Sequence, residues 1–325
     1  MLVGKKIIIY NNTSYCGGTL ALSCLCKTLR ELGYDASLYL YPTDSIEIND
    51  CRKLFRVIRG FHFRTIIRRY VDRYLPCLRF WQSYKLPVQN PLTMDKISFY
   101  SSYRINPEKT IVIYPEIVKG NPLMAKNVVR WLLYHYPYAN DNNAFSKSDL
   151  FIAYRRVFNN LKLNPDNNIV KVEYFNSNLY RQNNFSKREG TCYVIYKGRN
   201  RNDLPSKYDG PVYDNNMSQE EIVEMFNSHK YCYFYDMQTF YSTIAAVCGC
   251  IPILVPEKDK TLSDYRTSDE PLLGCAFGDS PEQIQYAIDT RNDLLKTLDF
   301  DTKNKENVRN LVEILQKHFG DIKRV

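Results

Sequence analysis

The sequence has few of the residue patterns that mark metal or cofactor sites. Its 10 cysteines include no recurring C-x-x-C pair at zinc spacing, and its 4 histidines are scattered along the chain. The glycine pair Gly17 and Gly18 has neither the G-x-G-x-x-G nor the Walker spacing. A zinc ribbon, a dinucleotide fingerprint and a P-loop therefore have no support, and we expect no bound metal.

Long apolar runs are also absent. No segment reaches the roughly 18 uninterrupted apolar residues of a membrane span, and the N-terminal run is too short for a signal peptide. The cysteines lie mostly inside apolar runs, which is typical of reduced core thiols. We therefore expect a cytoplasmic protein, either soluble or peripheral on the inner face of the plasma membrane.

What the chain does have is the composition of a globular protein. Hydrophobic residues make up 44% of its 325 residues and charged residues 24%, with only 13 Gly and 15 Pro. This length favours two domains. The 27 Tyr and 16 Phe against 2 Trp are an excess of rings suited to half-buried walls, stacking and interfaces.

The net charge of +9 favours acidic partners such as phosphates, anionic lipid or nucleic acid. Much of it lies in the basic stretch Arg52–Lys85, where Asp72 is the only acidic residue. Its mixture of Arg with Ile, Tyr, Phe and Trp suits an interfacial segment on anionic lipid, a nucleic-acid surface or a solvated helix. No RNP-type or helix-turn-helix signature accompanies it, which makes nucleic acid the less favoured partner.

Strand and helix patterns alternate along most of the chain. It opens with a predicted strand at Lys5–Tyr10, a helix at Thr19–Leu32 and a strand at Ala36–Tyr41, the βαβ unit that builds parallel sheets. Further strands are predicted at Ile111–Ile117, Leu150–Tyr154, Val170–Phe175, Cys192–Arg199, Tyr231–Asp236 and Ile251–Pro256. Further helices are predicted at Pro122–Tyr134, Gln219–Asn227, Thr239–Val247, Pro281–Leu298 and Lys303–Phe319.

The alternation predicts an α/β protein of two Rossmann-like domains. The polar stretch Asn159–Asn168 is the predicted linker, which gives a first domain at 1–162, a second at 163–302 and a terminal helix at 303–325 that packs back on the first domain. The cleft between two such domains, whose parallel sheets face each other across it, is the natural ligand site.

The tract Tyr231–Pro256, YCYFYDMQTFYSTIAAVCGCIPILVP, is the richest in possible site residues. A strand delivers Asp236 and Thr239 to its carboxyl end, and the next helix begins with free N–H groups that favour an anion. Small residues and Gly249 at the end of this helix permit close approach of backbone or ligand. The alternative is that Asp236 or Thr239 simply caps the helix.

This tract resembles the nucleotide-sugar site of GT-B glycosyltransferases. The stretch Ile111–Leu133, IVIYPEIVKGNPLMAKNVVRWLL, is similar to bacterial members that build capsule or lipopolysaccharide, and the Gly17 and Gly18 loop extends the similarity over most of the chain. The resemblance implies transfer of a sugar from a nucleoside-diphosphate donor to a glycan or lipid-linked acceptor, in the hexosyltransferase class, with no cofactor besides the donor.

The resemblance also implies residue roles. Donor binding falls to Lys197, Arg199, Tyr235, Asp236 and Thr239. On the first domain, the acceptor or phosphate-proximal loops hold Gly17, Gly18 and Asn121, and Glu116 is the candidate general base. Glu116 could equally be a structural carboxylate, Gly17 and Gly18 could form a plain strand-to-helix turn, and Lys197 and Arg199 could belong to a solvated turn.

Retaining members commonly have a second glutamate, where this chain has Thr243 and Ile244, so inversion and retention both stay open. The rival class is a non-catalytic protein that binds nucleic acid or a membrane surface on the same α/β scaffold.

Overall fold

The computed structural model describes residues 4–12, 16–41, 98, 104–137, 144–268 and 270–325. The chain divides into two compact units, the first formed by Met1–Tyr174 with Asp301–Val325 and the second by Phe175–Phe300. The basic stretch Arg52–Lys85 lies outside the described residues.

The first unit is built on a parallel sheet that is buried on both faces. Its five described strands lie in the order β2-β1-β3-β4-β5. The bounds are β1 Lys6–Asn12, β2 Ala36–Tyr41, β3 Thr110–Pro115, β4 Asn127–Leu132 and β5 Leu150–Ala153. Continuous runs of Ile and Val such as Ile7–Ile9 suit these strands, because helices or loops cover both faces of a parallel sheet.

Helix α1, Gly17–Glu31, follows β1 directly. The side chain of Thr19 bonds the backbone of Cys16 at its start, and Gly33, with a φ of +84°, allows the chain to turn back at its end. Its apolar face, including Leu22, Leu25 and Leu29, packs into the core beside β1, β2 and β3. Helix α1 thus packs on β1 and β2 and completes the first βαβ unit.

The second unit contains another parallel sheet, in the order β10-β9-β8-β6-β7. Its strands are β6 Glu189–Val194, β7 Val212–Tyr213, β8 His229–Phe234, β9 Ile251–Leu254 and β10 Ala276–Phe277. Helices α2 Gln219–Ser228 and α3 Tyr241–Cys248 join successive strands, and α4 Pro281–Lys296 follows β10. Side chains of α2 and α3 share one core with β6 and β8, and α4 packs against β9 and β10.

The last helix, α5 Phe300–Phe319, returns to the first unit. Val308, Leu311, Val312 and Leu315 lie on one face of α5 and are fully or almost fully buried in the core that also holds α1. Beyond the helix, the residues around Ile322 pair with Lys5, and Lys323 bonds Asp35 at 2.8 Å.

The predicted pair of Rossmann-like α/β domains with parallel sheets is confirmed. In the parts of the chain described above, no helix is both long and apolar enough to cross a membrane.

Two predicted elements are wrong. The segment Pro122–Tyr134 is no helix, because β4 occupies Asn127–Leu132 and pairs with β3 and β5 on its two sides. A strand buried on both faces shows a continuous apolar pattern, which periodicity alone does not separate from a buried helix.

Val170–Phe175 forms no strand either, since its segment makes only an isolated bridge between Ile169 and Ala153. Val170 and Val172 are buried because they pack into the core of the first unit, beside α5. For the same reason the first unit runs past the predicted boundary at residue 162 to Tyr174, and the predicted linker Asn159–Asn168 lies inside it.

Candidate functional site

The carboxyl edge of the second sheet brings the predicted donor residues together. In parallel α/β sheets this edge is where ligands bind. After β6 the chain makes a 3-10 turn at Tyr196–Gly198, so Lys197 lies in this turn and not in a strand. A Cβ on Gly198 would lie 2.2 Å from the carbonyl oxygen of Tyr235. Glycine at 198 therefore lets the turn press against the end of β8, which sets Lys197 beside Asp236.

Asp236 is the most unusual residue of this edge. Its side chain is only 3% exposed and accepts hydrogen bonds from the backbone of Gln238 and Lys197. Its Oδ2 atom is buried and has no hydrogen-bond partner. Burial raises the pKa of Asp236, although the positive charge of Lys197 and the two backbone bonds oppose the shift. A buried carboxylate oxygen without a partner is an expensive arrangement, and a ligand that donates a hydrogen bond would complete it.

Thr239 serves the start of α3. Its Oγ1 accepts a hydrogen bond from the backbone N–H of Tyr241 at 3.2 Å, and its carbonyl oxygen accepts from Ser242 at 3.1 Å. These bonds order the loop between Asp236 and α3 and match the capping alternative for Thr239. Helix α3 then runs for 8 residues and ends at Gly249, whose φ of +87° requires glycine.

The cations of this edge are engaged to different degrees. Arg199 forms an ion pair with Asp214 at 2.8 Å, and its Nε donates to the carbonyl of Tyr196. Arg201 uses its guanidinium to bond Asp203 twice and three backbone carbonyls, which occupies all five of its N–H groups. Arg201 therefore ties the ends of β8 and β9 together, and Lys197 is the exposed cation placed against Asp236.

The ring of Tyr235 is buried and packs against Arg201, whose guanidinium lies 5.2 Å from the ring centroid. Three other tyrosines form an aromatic wall at this edge: Tyr196, Tyr213 and Tyr241. The ring centroids of Tyr196 and Tyr213 lie 6.1 Å apart, and those of Tyr213 and Tyr241 lie 5.1 Å apart.

The sequence analysis missed this wall. Tyr213 belongs to the two-residue strand β7, which no apolar run marks. Its place in the wall shows only in the fold, where burial raises the pKa of Tyr213 and the neighbouring Tyr241 and Tyr196 add to the shift.

At the carboxyl edge of the first sheet, Glu116 and Gly18 meet at Leu133. Glu116 is 5% exposed, and its Oε2 accepts the backbone N–H of Leu133 at 2.9 Å, which ties the end of β3 to the end of β4. A Cβ on Gly18 would lie 3.5 Å from the Leu133 side chain, whereas one on Gly17 would meet no atom of the described residues within 4 Å. Gly17 is exposed among these residues.

The side chain of Asn121 has a structural role. Its Oδ1 accepts from the hydroxyl of Tyr114 and the backbone of Ala125, and its Nδ2 donates to the Ala125 carbonyl at 2.7 Å. Its amide thus closes the turn between β3 and β4, in contact with Tyr114 and not with Leu133, where Glu116 and Gly18 meet.

No known protein family matches this chain. No curated protein matches it either. Among solved structures, it is similar to a glycosyltransferase from Rickettsia africae ESF-5, at 11% identity over 97% of this chain and 98% of that one, with a TM-score of 0.41. MurG of Acinetobacter baumannii aligns at 10% identity over 96% and 99%, with a TM-score of 0.33.

An α-glucosyltransferase solved with UDP and DNA aligns at 9% identity over 94% of this chain and 95% of that one, with a TM-score of 0.40. At TM-scores of this size the fold rests on the two sheets themselves, and the chemistry rests on the edge around Asp236.

That edge brings together a hydrogen-bond acceptor, a cation and the start of a helix. In the described parts of the chain, no group of three or more His, Cys, Asp or Glu side chains is arranged to hold a metal ion. The arrangement suits an organic ligand that carries both hydroxyl and anionic groups.

Proposed function

We propose that this protein is a glycosyltransferase of the GT-B type, which moves a sugar from a nucleoside-diphosphate donor to a glycan or lipid-linked acceptor. The observation that carries the proposal is the buried Oδ2 of Asp236 without a partner at the carboxyl edge of the second sheet. It calls for a neutral hydrogen-bond donor on the ligand, and a hydroxyl of a sugar or ribose is such a group.

The cation beside this oxygen fits the rest of the donor. Lys197 is exposed on the turn after β6, and the loop from Asp236 leads within five residues to the start of α3. An ammonium group and the N–H groups of a helix start both favour phosphate oxygens. In our proposal they stabilise the charge that grows on the nucleoside diphosphate as it leaves the sugar.

Arg199 has a secondary role in this scheme. Its guanidinium pairs with Asp214 and bonds the carbonyl of Tyr196, so in this scheme it holds the turn that carries Lys197. Tyr235 and Thr239 support the site by packing against Arg201 and by ordering the loop before α3.

The first unit supplies the acceptor side. Glu116 lies after β3, with one carboxylate oxygen fixed by the N–H of Leu133. We propose that it orients the acceptor hydroxyl and accepts its proton, with Gly17 and Gly18 leaving room for the acceptor and Asn121 holding the neighbouring turn. A base in this place fits an inverting reaction. Thr243 and Ile244 stand where retaining members commonly have a second glutamate, and this difference leaves both stereochemical outcomes open.

Binding of UDP-, GDP- and CMP-sugars, measured by thermal shift and calorimetry, tests the donor site. We expect one nucleotide class to stabilise the protein. Lys197→Met should weaken that binding about tenfold, as loss of one charged hydrogen bond predicts. Lys187→Met is the matched control, because Lys187 is an exposed lysine of the same unit that pairs only with Glu189.

Absence of stabilisation by any nucleotide, together with salt-sensitive RNA binding, would overturn the proposal in favour of a nucleic-acid-binding protein. For the acceptor side, Glu116→Gln should lower turnover and leave donor affinity unchanged. Product analysis by NMR of the new linkage then distinguishes inversion from retention.

The finer proposal is a role in surface-polysaccharide assembly, with the protein held at the inner face of the plasma membrane. Its support is the basic stretch Arg52–Lys85, whose mixture of arginine and aromatic residues suits anionic lipid. Co-sedimentation with phosphatidylglycerol vesicles, but not with phosphatidylcholine vesicles, is the expected result.

A further inference from the structure

A chain of hydrogen bonds leads from the interior of the second unit to the aromatic wall Tyr196, Tyr213 and Tyr241. The hydroxyl of Tyr180 donates to Oε1 of Gln219 at 2.8 Å, and Nε2 of Gln219 donates to the hydroxyl of Tyr241 at 2.6 Å. The hydroxyls of Tyr241 and Tyr213 lie 3.5 Å apart. One amide thus connects a buried tyrosine to two tyrosines of the wall.

Gln219 occupies a position where its amide is held from both ends. It is the first residue of α2, and the capping box of Ser218 and Glu221 fixes the start of that helix. Its side chain is 6% exposed, so its amide has few alternatives to these two hydroxyls. Its oxygen accepts from Tyr180 and its nitrogen donates to Tyr241.

Tyr241 is the first residue of α3, and its backbone N–H is bonded to Thr239. Its ring meets Tyr213 edge to face, and Tyr213 in turn packs on Tyr196, the neighbour of Lys197, whose backbone N–H bonds Asp236. The wall that begins at Tyr241 therefore ends at the turn that contacts Asp236.

We propose that Gln219 is a positioning residue of the donor site. It holds the hydroxyl of Tyr241, and through it that of Tyr213, so that the aromatic wall has its position near Asp236 before the donor binds. This inference rests on the proposed function for its ligand. Gln219 itself touches no substrate, and its effect reaches the donor through the two tyrosines, as preorganisation of a binding surface.

The second buried amide of the same helix provides a matched control. Asn227 lies eight residues further along α2, about 12 Å away at helical rise. It is 1% exposed and bonds the backbone of Asn183, Arg181 and Val223, and none of these bonds goes to a tyrosine hydroxyl. Replacing either amide by leucine removes a buried hydrogen-bonding group from α2, but only Gln219 leads to the donor site.

The experiment compares Gln219→Leu, Asn227→Leu and Tyr180→Phe for affinity to UDP, GDP and CMP by calorimetry. We expect about a fivefold to tenfold loss of nucleotide affinity in Gln219→Leu, the loss that one hydrogen bond predicts. Tyr180→Phe should give a smaller loss, because the amide is then held from one end only. Asn227→Leu should lower thermal stability and leave the affinity within about twofold.

Fluorine NMR of protein labelled with 3-fluorotyrosine adds a readout that needs no ligand. The resonance of Tyr241, assigned with Tyr241→Phe, should shift or broaden in Gln219→Leu and stay unchanged in Asn227→Leu. An unchanged Tyr241 resonance in Gln219→Leu, or equal affinity losses in both leucine variants, would overturn the inference. If the wild type binds none of the nucleotides, the proposed function fails, and the fluorine spectra still decide whether Gln219 holds the wall.

Discussion

Replacing Asp236 by asparagine should make the protein more stable while it removes donor binding. Only 3% of the wild-type residue is exposed, and one oxygen of its carboxylate has no partner. Asparagine keeps an acceptor oxygen for the backbone N–H groups of Gln238 and Lys197 and carries no charge. The substitution thus removes the buried charge and retains the two backbone hydrogen bonds.

A buried polar group without a partner costs about 1 to 3 kcal/mol, and more when it is charged. The amide nitrogen of asparagine would also lack a partner, so we expect a net gain of about 1 kcal/mol at pH 8. For a unit of this size that corresponds to a rise of about 3 to 5 °C in Tm.

The gain should depend on pH. Burial raises the pKa of Asp236 above its ordinary value of 3.8, so the folded state binds this proton more tightly than the unfolded state does. The wild type therefore loses stability as pH rises from the unfolded value through the raised one. Asparagine does not titrate, and its advantage should grow across this window and then level off.

Urea denaturation of both proteins at pH 4 and pH 8 measures the difference. Asp293→Asn is the control, since Asp293 is an exposed helix residue of the same unit and should change stability by less than about 0.5 kcal/mol. An Asp236→Asn protein that is less stable than the wild type at pH 8, or whose difference is the same at both pH values, would refute this reasoning.

Three further predictions concern the scaffold. Gly198→Ala should lower stability by about 2 kcal/mol or more and disturb nucleotide binding, since its Cβ would overlap the Tyr235 carbonyl; circular dichroism melts and calorimetry measure both. Leu315→Ala should destabilise the first unit by about 2 to 5 kcal/mol in urea, because Leu315 is fully buried on α5. Burial alone would raise the pKa of Asp35, but hydrogen bonds from Lys323 and Lys6 outweigh it and lower the value. The stability that Asp35 contributes should be present above its unfolded pKa of 3.8 and be lost as the pH falls through the lowered pKa of the folded state. Lys323→Met should reduce this acid dependence, as measured by thermal melts at a series of pH values.

The parts of the fold that the sequence predicts are those that local pattern determines. The run of isoleucines at Ile7–Ile9, the helix that ends before Gly33 and the buried strand before Asp236 each have a signal within a few residues. Asp236 could be singled out because a polar residue directly after a buried strand of a parallel sheet must lie at its carboxyl edge.

Other features depend on contacts between distant segments. The need for glycine at 198 comes from a carbonyl of β8, and the aromatic wall joins three segments from 196 to 241. The partners of Arg201 lie up to 55 residues away along the chain, so its different role from Arg199 shows only in the fold. Strand β4 was mistaken for a helix because burial on both faces erases the alternation that distinguishes a strand.

The place of α5 determines the order in which the two units can be completed during synthesis. The core of the first unit needs Val308, Leu311 and Leu315, which the ribosome adds only after the whole of the second unit. The unit that begins the chain is therefore the last to close, which reverses the usual N-terminal-first order of domain folding. Until then its unfilled groove beside α1 is exposed apolar surface, and this nascent state is where the chain would be most open to a chaperone.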